Sequence, residues 1–317
     1  MSIITVKNLS KHFKIFKHHH GTLGAVRNLF SRGYNLIKAV DEINFEIQPG
    51  ELVGYIGPNG AGKSTTIRMI MDIIKPDSGE IFVLGEKISN ETKNRIGYLP
   101  EERGMYRKLK VIDSIVYLAS LKGISTRIAK SRAEELLDRV EMLDHANKKI
   151  EELSRGMGQL VQFLVTIIHD PGLIILDEPS AGLDPVNTEL LKNLIMEMRS
   201  QGKAIIMSTH RMNEVEEMCD RIFMINRGKN VLYGKIDEIK ARFRNNSILL
   251  EHEGELPELN GISRHTVYRD HTELFLDTGF SAQDILSQLV EKGVNVNRFE
   301  ISTPSLNDIF IQVAGEE

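Results

Sequence analysis

The stretch Gly57-Pro58-Asn59-Gly60-Ala61-Gly62-Lys63-Ser64-Thr65 constrains this chain more than any other. It has the spacing G-x-x-x-x-G-K-[ST], and its flanks are the ones that spacing needs. Glu51 to Ile56 is a short apolar run that reads as a buried strand. From Thr65 to Ile74, Ile67, Ile70, Met71 and Ile74 recur at helical spacing. Strand, glycine-rich loop and helix in that order let consecutive backbone N–H groups converge on phosphate oxygens at the positive end of a helix. Lys63 then offers a point charge to the β- and γ-phosphates and Ser64 a hydroxyl ligand for Mg²⁺. The expectation is an α/β chain that binds a nucleoside triphosphate.

A second segment narrows the chemistry. Leu173-Ile174-Ile175-Leu176-Asp177-Glu178-Pro179 begins with four aliphatic residues, the pattern of a strand buried on both faces of a parallel sheet. Asp177 emerges at its carboxyl end, where ligands sit in open α/β sheets, and is expected to hold Mg²⁺ directly or through water. Glu178 follows at once and, by strand alternation, is expected to point elsewhere. A carboxylate there can polarise an attacking water as a general base. A third strand pattern from Lys203 to Ser208 leads to His210, whose imidazole is placed to hydrogen-bond a γ-phosphate and relay its presence to Glu178.

Composition sets outer limits. The chain has 317 residues, enough for one large domain and a smaller one, and its formal net charge of −4 argues against a dedicated nucleic-acid partner. A single cysteine, Cys219, excludes an internal disulfide framework and fits a reducing compartment. No signal-peptide pattern is evident at the start, and no stretch approaches the apolar length of a membrane helix. The expectation is a cytoplasmic chain whose membrane role is borrowed from a partner. Within it, Met1 to Val40 carries no Asp or Glu but Lys7, Lys11, Lys14, Lys17, Arg27, Arg32 and Lys38.

At this point the order of motifs resembles the nucleotide-binding subunit of an ABC transporter, over about the first three-quarters of the chain. The family's signature, usually written LSGGQ, stands here as Leu153-Ser154-Arg155-Gly156-Met157, with Arg155 in place of a glycine and Met157 in place of the glutamine. The resemblance implies that Ser154 donates to a γ-phosphate and that Gly156 allows close backbone approach, ahead of a helix starting near Met157. Ser180-Ala181-Gly182-Leu183-Asp184 is similar to the D-loop. Where the family has its Q-loop glutamine, Ile96-Gly97-Tyr98-Leu99-Pro100-Glu101-Glu102-Arg103-Gly104 puts Glu101, a carboxylate that can bind Mg²⁺ or water but adds charge. Phe13 occupies the place of the adenine-stacking aromatic, or is an aromatic packed in an edge strand. The implied fold is a P-loop NTPase core with an antiparallel β subdomain and a helical subdomain over about 105–165, together spanning 1–234. In the family, ATP lies between the phosphate loop of one subunit and the signature of another. One copy of each motif therefore implies a head-to-tail pair with a second ATPase subunit, most simply a homodimer.

The loop around Glu101, the LSRGM signature and the chain's ending resemble the sodium-, drug- and antibiotic-exporting branch. That branch implies separate ABC-2 type membrane permease subunits and a place on the inner face of the cell membrane. Residues 235–317 read as a small C-terminal α+β domain. Ser247–Leu250, Thr266–Tyr268, Glu273–Leu276 and Val294–Ile301 are expected strands. Ser281–Lys292 is an expected helix with Ile285, Leu286 and Leu289 inward, and a last helix is capped near Ser305. Its role is regulatory, dimer-supporting or a stability cap. The basic insertion at about 14–38 places Leu23, Val26, Leu29, Phe30, Tyr34 and Ile37 on one expected helical face, packed on the core or lying near anionic lipid and permease. His18-His19-His20 is a weak candidate for a transition metal. The competing function is a soluble ABC-type ATPase acting on ribosomes or DNA. It lacks support from a second internal ATPase domain or a long coiled-coil insertion.

Overall fold

A computed structural model describes residues 2–16, 34–102, 104–243, 247–277 and 279–315. The chain divides into two compact units, Met1–Ile236 and Asp237–Glu317. In chain order the first unit's strands are β1 (Ile4–Phe16), β2 (Tyr34–Ile47), β3 (Leu52–Ile56), β4 (Ser78–Val83), β5 (Glu86–Lys87), β6 (Ile96–Leu99), β7 (Leu173–Asp177), β8 (Ala204–Ser208), β9 (Arg221–Asn226) and β10 (Lys229–Lys235).

The central sheet runs β10-β9-β3-β8-β7-β6 and is parallel from β9 to β6, with only β10 antiparallel at its edge. Every residue of β3, β7 and β8 is buried, because helices cover both faces of a parallel sheet and leave no side that favours polar residues. A second sheet, β2-β1-β4-β5, is antiparallel. Its Ile4, Val6, Leu9, Val40, Ile43 and Phe45 share one core with Val53, Tyr55, Ile67 and Ile70, so the helix after the phosphate loop is clamped between the two sheets. Phe45, Tyr55 and Phe223 form the aromatic seam of that core, with ring centroids 4.9 Å (Phe45–Phe223) and 5.2 Å (Tyr55–Phe223) apart.

The helical segment is built from Val111–Leu121, Thr126–Arg139 and Arg155–Ile167. The amphipathic run expected over Arg132–Leu143 ends early as an α-helix, at Arg139. Glu141 then adopts a left-handed φ of 55°, and Leu143 begins a 3₁₀ turn.

The expected helix in the basic insertion is corrected at its ends. Tyr34 and Ile37 lie in β2, where Phe13 pairs with Ile37 and Phe16 with Tyr34, so both strands run on as a two-stranded ribbon. Apolar residues at helical spacing were also compatible with cross-strand pairs, and ladder hydrogen bonds favoured the strand. Leu23, Val26, Leu29, Phe30 and the three histidines lie outside the described residues.

In the second unit, β11 (Ser247–Glu253), β12 (Ile262–Val267), β13 (Thr272–Leu276) and β14 (Asn295–Ile301) form an antiparallel sheet ordered β12-β13-β11-β14. Thr266 and Val267 only end β12, which starts earlier than Thr266–Tyr268 suggested. The helix Ala282–Glu291 is opened by a reciprocal Ser281–Asp284 cap and buries Ile285 and Leu289 against Ile248, Leu250 and Leu274. Leu286, expected inward, is exposed. A helix presents one narrow stripe to a single sheet, and Ile285 and Leu289, four apart, fill it. Ser305 caps the last helix, its Oγ accepting from the Asp308 N–H at 3.1 Å. No helix among the described residues is long and apolar enough to cross a membrane.

Candidate functional site

The phosphate loop leaves β3 and enters the helix Lys63–Ile70 with Gly62 as its cap at φ 114°. A Cβ on Gly62 would meet the Ala39 carbonyl at 2.3 Å, so the loop closes against β2 through a position only glycine can occupy. Thr66 ties the turn by donating to the Gly62 carbonyl at 3.1 Å and accepting from the Tyr55 hydroxyl at 2.9 Å. Lys63 Nζ donates to the carbonyls of Gly57 (2.6 Å) and Pro58 (3.1 Å). Ala61 is buried beneath the loop.

Above it lies a cavity of about 340 Å³ lined by Asn59, Gly60, Gly62, Lys63, Ser64, Thr65, Glu101, Asp177, Glu178 and His210, with Ala39 and Ala181 at its edge. The structure therefore brings Asn59, Gly60, Gly62, Lys63, Ser64 and Thr65 of the loop, both acids after β7, Glu101 and His210 to one place, while Gly57, Pro58 and Ala61 are not in the lining. Phe13 stands apart from that lining, on the ribbon with Lys11 Nζ 5.8 Å from its ring centre.

Glu178 departs from expectation. Strand alternation would have turned it away from Asp177, but its φ of 50° is left-handed and ends the strand, so both carboxylates line the cavity. The strained backbone is held by Glu178 N–H donating to Ser208 O (2.8 Å) and Ala181 N–H to Glu178 O (3.1 Å). Its Oε1 accepts from the His210 backbone N–H (3.1 Å) and lies 2.8 Å from His210 Nδ1. Its Oε2 accepts from the Thr209 hydroxyl at 3.3 Å. An ionised carboxylate cannot donate, so Nδ1 carries the proton and Nε2 is the nitrogen turned to other partners.

The charges are unbalanced. Burial pushes the Asp177 carboxyl up from its ordinary value, and the charges of Glu101 and Glu178 add to that. Burial likewise lowers the Lys63 ammonium, against the pull of Glu178, Asp177 and Glu101. Three carboxylates face one ammonium, two of whose three protons are donated to loop carbonyls. With the Ser64 hydroxyl they are hard oxygen donors, the chemistry that suits Mg²⁺. Ser64, Asp177 and Glu101 thus fit that ion.

The signature lies elsewhere. Its helix starts at Arg155 rather than near Met157, with Ser154 as the cap accepting from Met157 N–H at 3.2 Å. The hydroxyl proton of Ser154 remains free to donate. Ser154 and Arg155 line a separate cleft of about 320 Å³ with Met105, Arg107 and Glu151. Gly156 is buried beside Leu183, and a Cβ there would make only an ordinary 3.5 Å contact within the chain. Asp184 caps the helix Pro185–Ser200 by accepting from Asn187 N–H at 3.0 Å, and does not line the cavity.

Sequence reasoning missed Ala39, Thr209 and a buried network behind the D-loop. In that network Ser180 Oγ donates to Glu214 at 2.7 Å, Arg211 to Glu214 at 2.8 Å, and Gln159 to the Pro179 carbonyl at 3.1 Å. Polar residues inside otherwise apolar helices, such as Gln159, were the available signal.

Comparison with known proteins identifies the family. The ABC transporter family profile matches residues 40–181, and that of the DrrA1-3-like ATP-binding protein C-terminal domain matches 234–314. The chain is 41% identical over 281 residues to YhaQ of Bacillus subtilis, an uncharacterised ABC transporter ATP-binding protein, covering 88% of this chain and 94% of that one. It is 31% identical over 297 residues to the bacitracin transport ATP-binding protein BcrA of Bacillus licheniformis, covering 89% and 94%. The dimeric post-hydrolysis structure of the ATP-binding cassette MJ0796, bound to ADP and Pi, matches with a TM-score of 0.63 at 25% identity, over 74% of this chain and 98% of that one. The chain belongs to the family of ABC transporter ATP-binding proteins.

Proposed function

We propose that this chain is the ATP-hydrolysing subunit of a membrane exporter, working as a head-to-tail pair in which each nucleotide lies between the phosphate loop of one copy and the signature of the other. The observation that carries the reading is the separation of two half-sites. The phosphate loop, Asp177, Glu178 and His210 share one cavity, while Ser154 and Arg155 line another.

In this reading the loop from Gly57 to Thr65 cradles the phosphates through backbone N–H groups, and Lys63 leaves its carbonyl partners for them. Ser64, Asp177 and Glu101 would hold Mg²⁺, which when bound neutralises charge on the β- and γ-phosphoryl oxygens. Glu178 takes a proton from the attacking water, and its bonds to His210 and Thr209 fix the carboxylate's orientation. His210 bridges Glu178 through Nδ1–H and turns Nε2 to the γ-phosphate. Ser154 of the second copy donates its free hydroxyl proton to the same phosphate. Asp184 orders the D-loop as a helix cap, and Phe13 stacks on the base from the ribbon. Residues 1–234 would form the ATPase domain and 235–317 an accessory one. The likeness to an antibiotic-transport subunit over nearly the whole chain supports a separate permease of the ABC-2 type, and membrane attachment through it.

Isolation of the tagged full chain from membranes tests this, by identifying what accompanies it. Co-isolation of a polytopic permease is expected; ribosomes or DNA in its place would refute the exporter reading.

A further inference from the structure

Of the charged side chains lining the two half-sites, Glu101, Arg107, Glu151 and Arg155 make no side-chain hydrogen bond or ion pair among the described residues, and Glu101 and Arg155 are the two that stand at motif positions. Both of these are exposed. Each sits where its charge is locally unfavourable. Glu101 lines the nucleotide cavity beside Asp177 and Glu178, adding a third carboxylate to a place with an excess of them. Arg155 is in the first turn of the helix Arg155–Ile167, a turn without an acidic residue, where the partial positive end of the helix disfavours a cation. Arg107 lines the same cleft and adds a like charge, only partly offset by Glu151. Conflicts of this kind between a residue and its own surroundings mark positions kept for an external contact.

The two lie on opposite half-sites and carry opposite charge. They are also the two charged departures from the motif pattern, a carboxylate for a neutral amide and a guanidinium for a glycine. Each departure alone would unbalance a composite site; together they cancel.

We propose that Arg155 forms an ion pair across the subunit interface with Glu101 of the partner subunit, so that this chain pairs preferentially with a second copy of itself. The inference rests on the head-to-tail reading above. A guanidinium suits the contact because it stays charged and can donate to the Glu101 oxygen that is not turned to Mg²⁺ in the reading above. The contact would also discriminate. An ATPase subunit with a neutral residue at either position leaves one charge of this chain desolvated and unpaired.

A charge-exchange experiment in the Glu178→Gln background, with ATP and Mg²⁺ and sedimentation velocity as readout, separates the possibilities. Glu101→Arg alone places two cations face to face at both composite sites, and Arg155→Glu alone places two anions. Each is expected to weaken self-association about tenfold or more. An equimolar mixture of the two restores pairing, because one composite site keeps the native charges and the other carries them reversed. A mixture that associates no better than its components overturns the pair, as it would if Arg155 touched only phosphate. If the parent Glu178→Gln chain stays monomeric with ATP, it is the head-to-tail reading that fails. Should a reversed variant not fold or not bind nucleotide, Glu101→Gln and Arg155→Gln decide. Combined, they are expected to weaken pairing no more than either alone, and fully multiplicative losses overturn the proposal.

Discussion

Replacing Glu178 with Gln removes one charge and almost nothing else. Oε1 accepts from the His210 backbone N–H and from Nδ1, and Oε2 from the Thr209 hydroxyl. An amide keeps its oxygen in the first position and both of those donors. Its NH₂ in the second position faces the Thr209 oxygen, which can turn and accept. No buried group is orphaned, so the roughly 1–3 kcal/mol that an unsatisfied group costs does not arise. Relief of the charge against Asp177 acts in the opposite, stabilising direction. The melting temperature is therefore expected to move by no more than about 2 °C. The chemical step, by contrast, loses its base, worth about 10²- to 10⁴-fold in rate, or roughly 2.7–5.4 kcal/mol of barrier. Phosphate release at saturating ATP, with ATP affinity from equilibrium dialysis and association state from sedimentation, reads all three quantities. Turnover should fall at least a hundredfold while ATP binding persists and the paired state accumulates. Turnover within tenfold of the parent, with binding intact, would refute the assignment of Glu178 as base.

Other perturbations probe the remaining parts. Lys63→Ala leaves the Gly57 and Pro58 carbonyls to water and removes the cavity's ammonium. Titration calorimetry should show ATP affinity weakened by about tenfold or more, and unchanged affinity would count against its role. Asp177→Asn should raise the melting temperature of the nucleotide-free protein at neutral pH while abolishing hydrolysis. Because the folded carboxyl sits above its unfolded value, the folded state holds the proton more tightly and stability falls as pH rises through that range. The gain from Asn should vanish in acid below it, as thermal melts at several pH values will reveal. His169, half-buried with Nε2 3.1 Å from the Ile96 carbonyl, is lowered to about 4 by desolvation and by Lys122. The unfolded chain binds that proton first, so stability should drop as pH falls from about 6.5 to about 4, with a slope approaching one proton. Urea unfolding of His169→Gln should lack that component, and an unaltered slope would exclude His169 as its source.

Much of the site was legible because its parts are contiguous. A phosphate cradle needs successive backbone N–H groups, so Gly57 to Thr65 must appear as one run. Full burial of β7 and β8 erases alternation and leaves aliphatic runs that announce themselves, with Asp177 and His210 following at the strand ends. The cap at Ser305 was legible for the same reason, since donor and acceptor lie three residues apart; the caps at Ser281 and Asp184 have the same spacing but were not read as caps. The misreadings have physical causes. Glu178 was expected to turn away, and a single left-handed residue, held by Ser208 from the next strand, swings it into the cavity. Tyr34 and Ile37 fitted a helical stripe, yet a ladder with β1 took them.

The sequence by itself determined that this chain binds and cleaves a nucleoside triphosphate, because the groups that touch phosphate are set by short-range backbone geometry and residue type. Only the tertiary structure decided which side chains share a cavity. Ala39 reaches the phosphate loop because β2 crosses it, and the Ser154–Arg155 cleft is separate because its helix belongs to another part of the unit. Neighbours far apart in the chain are brought together by burial of a common core, and no local pattern records that.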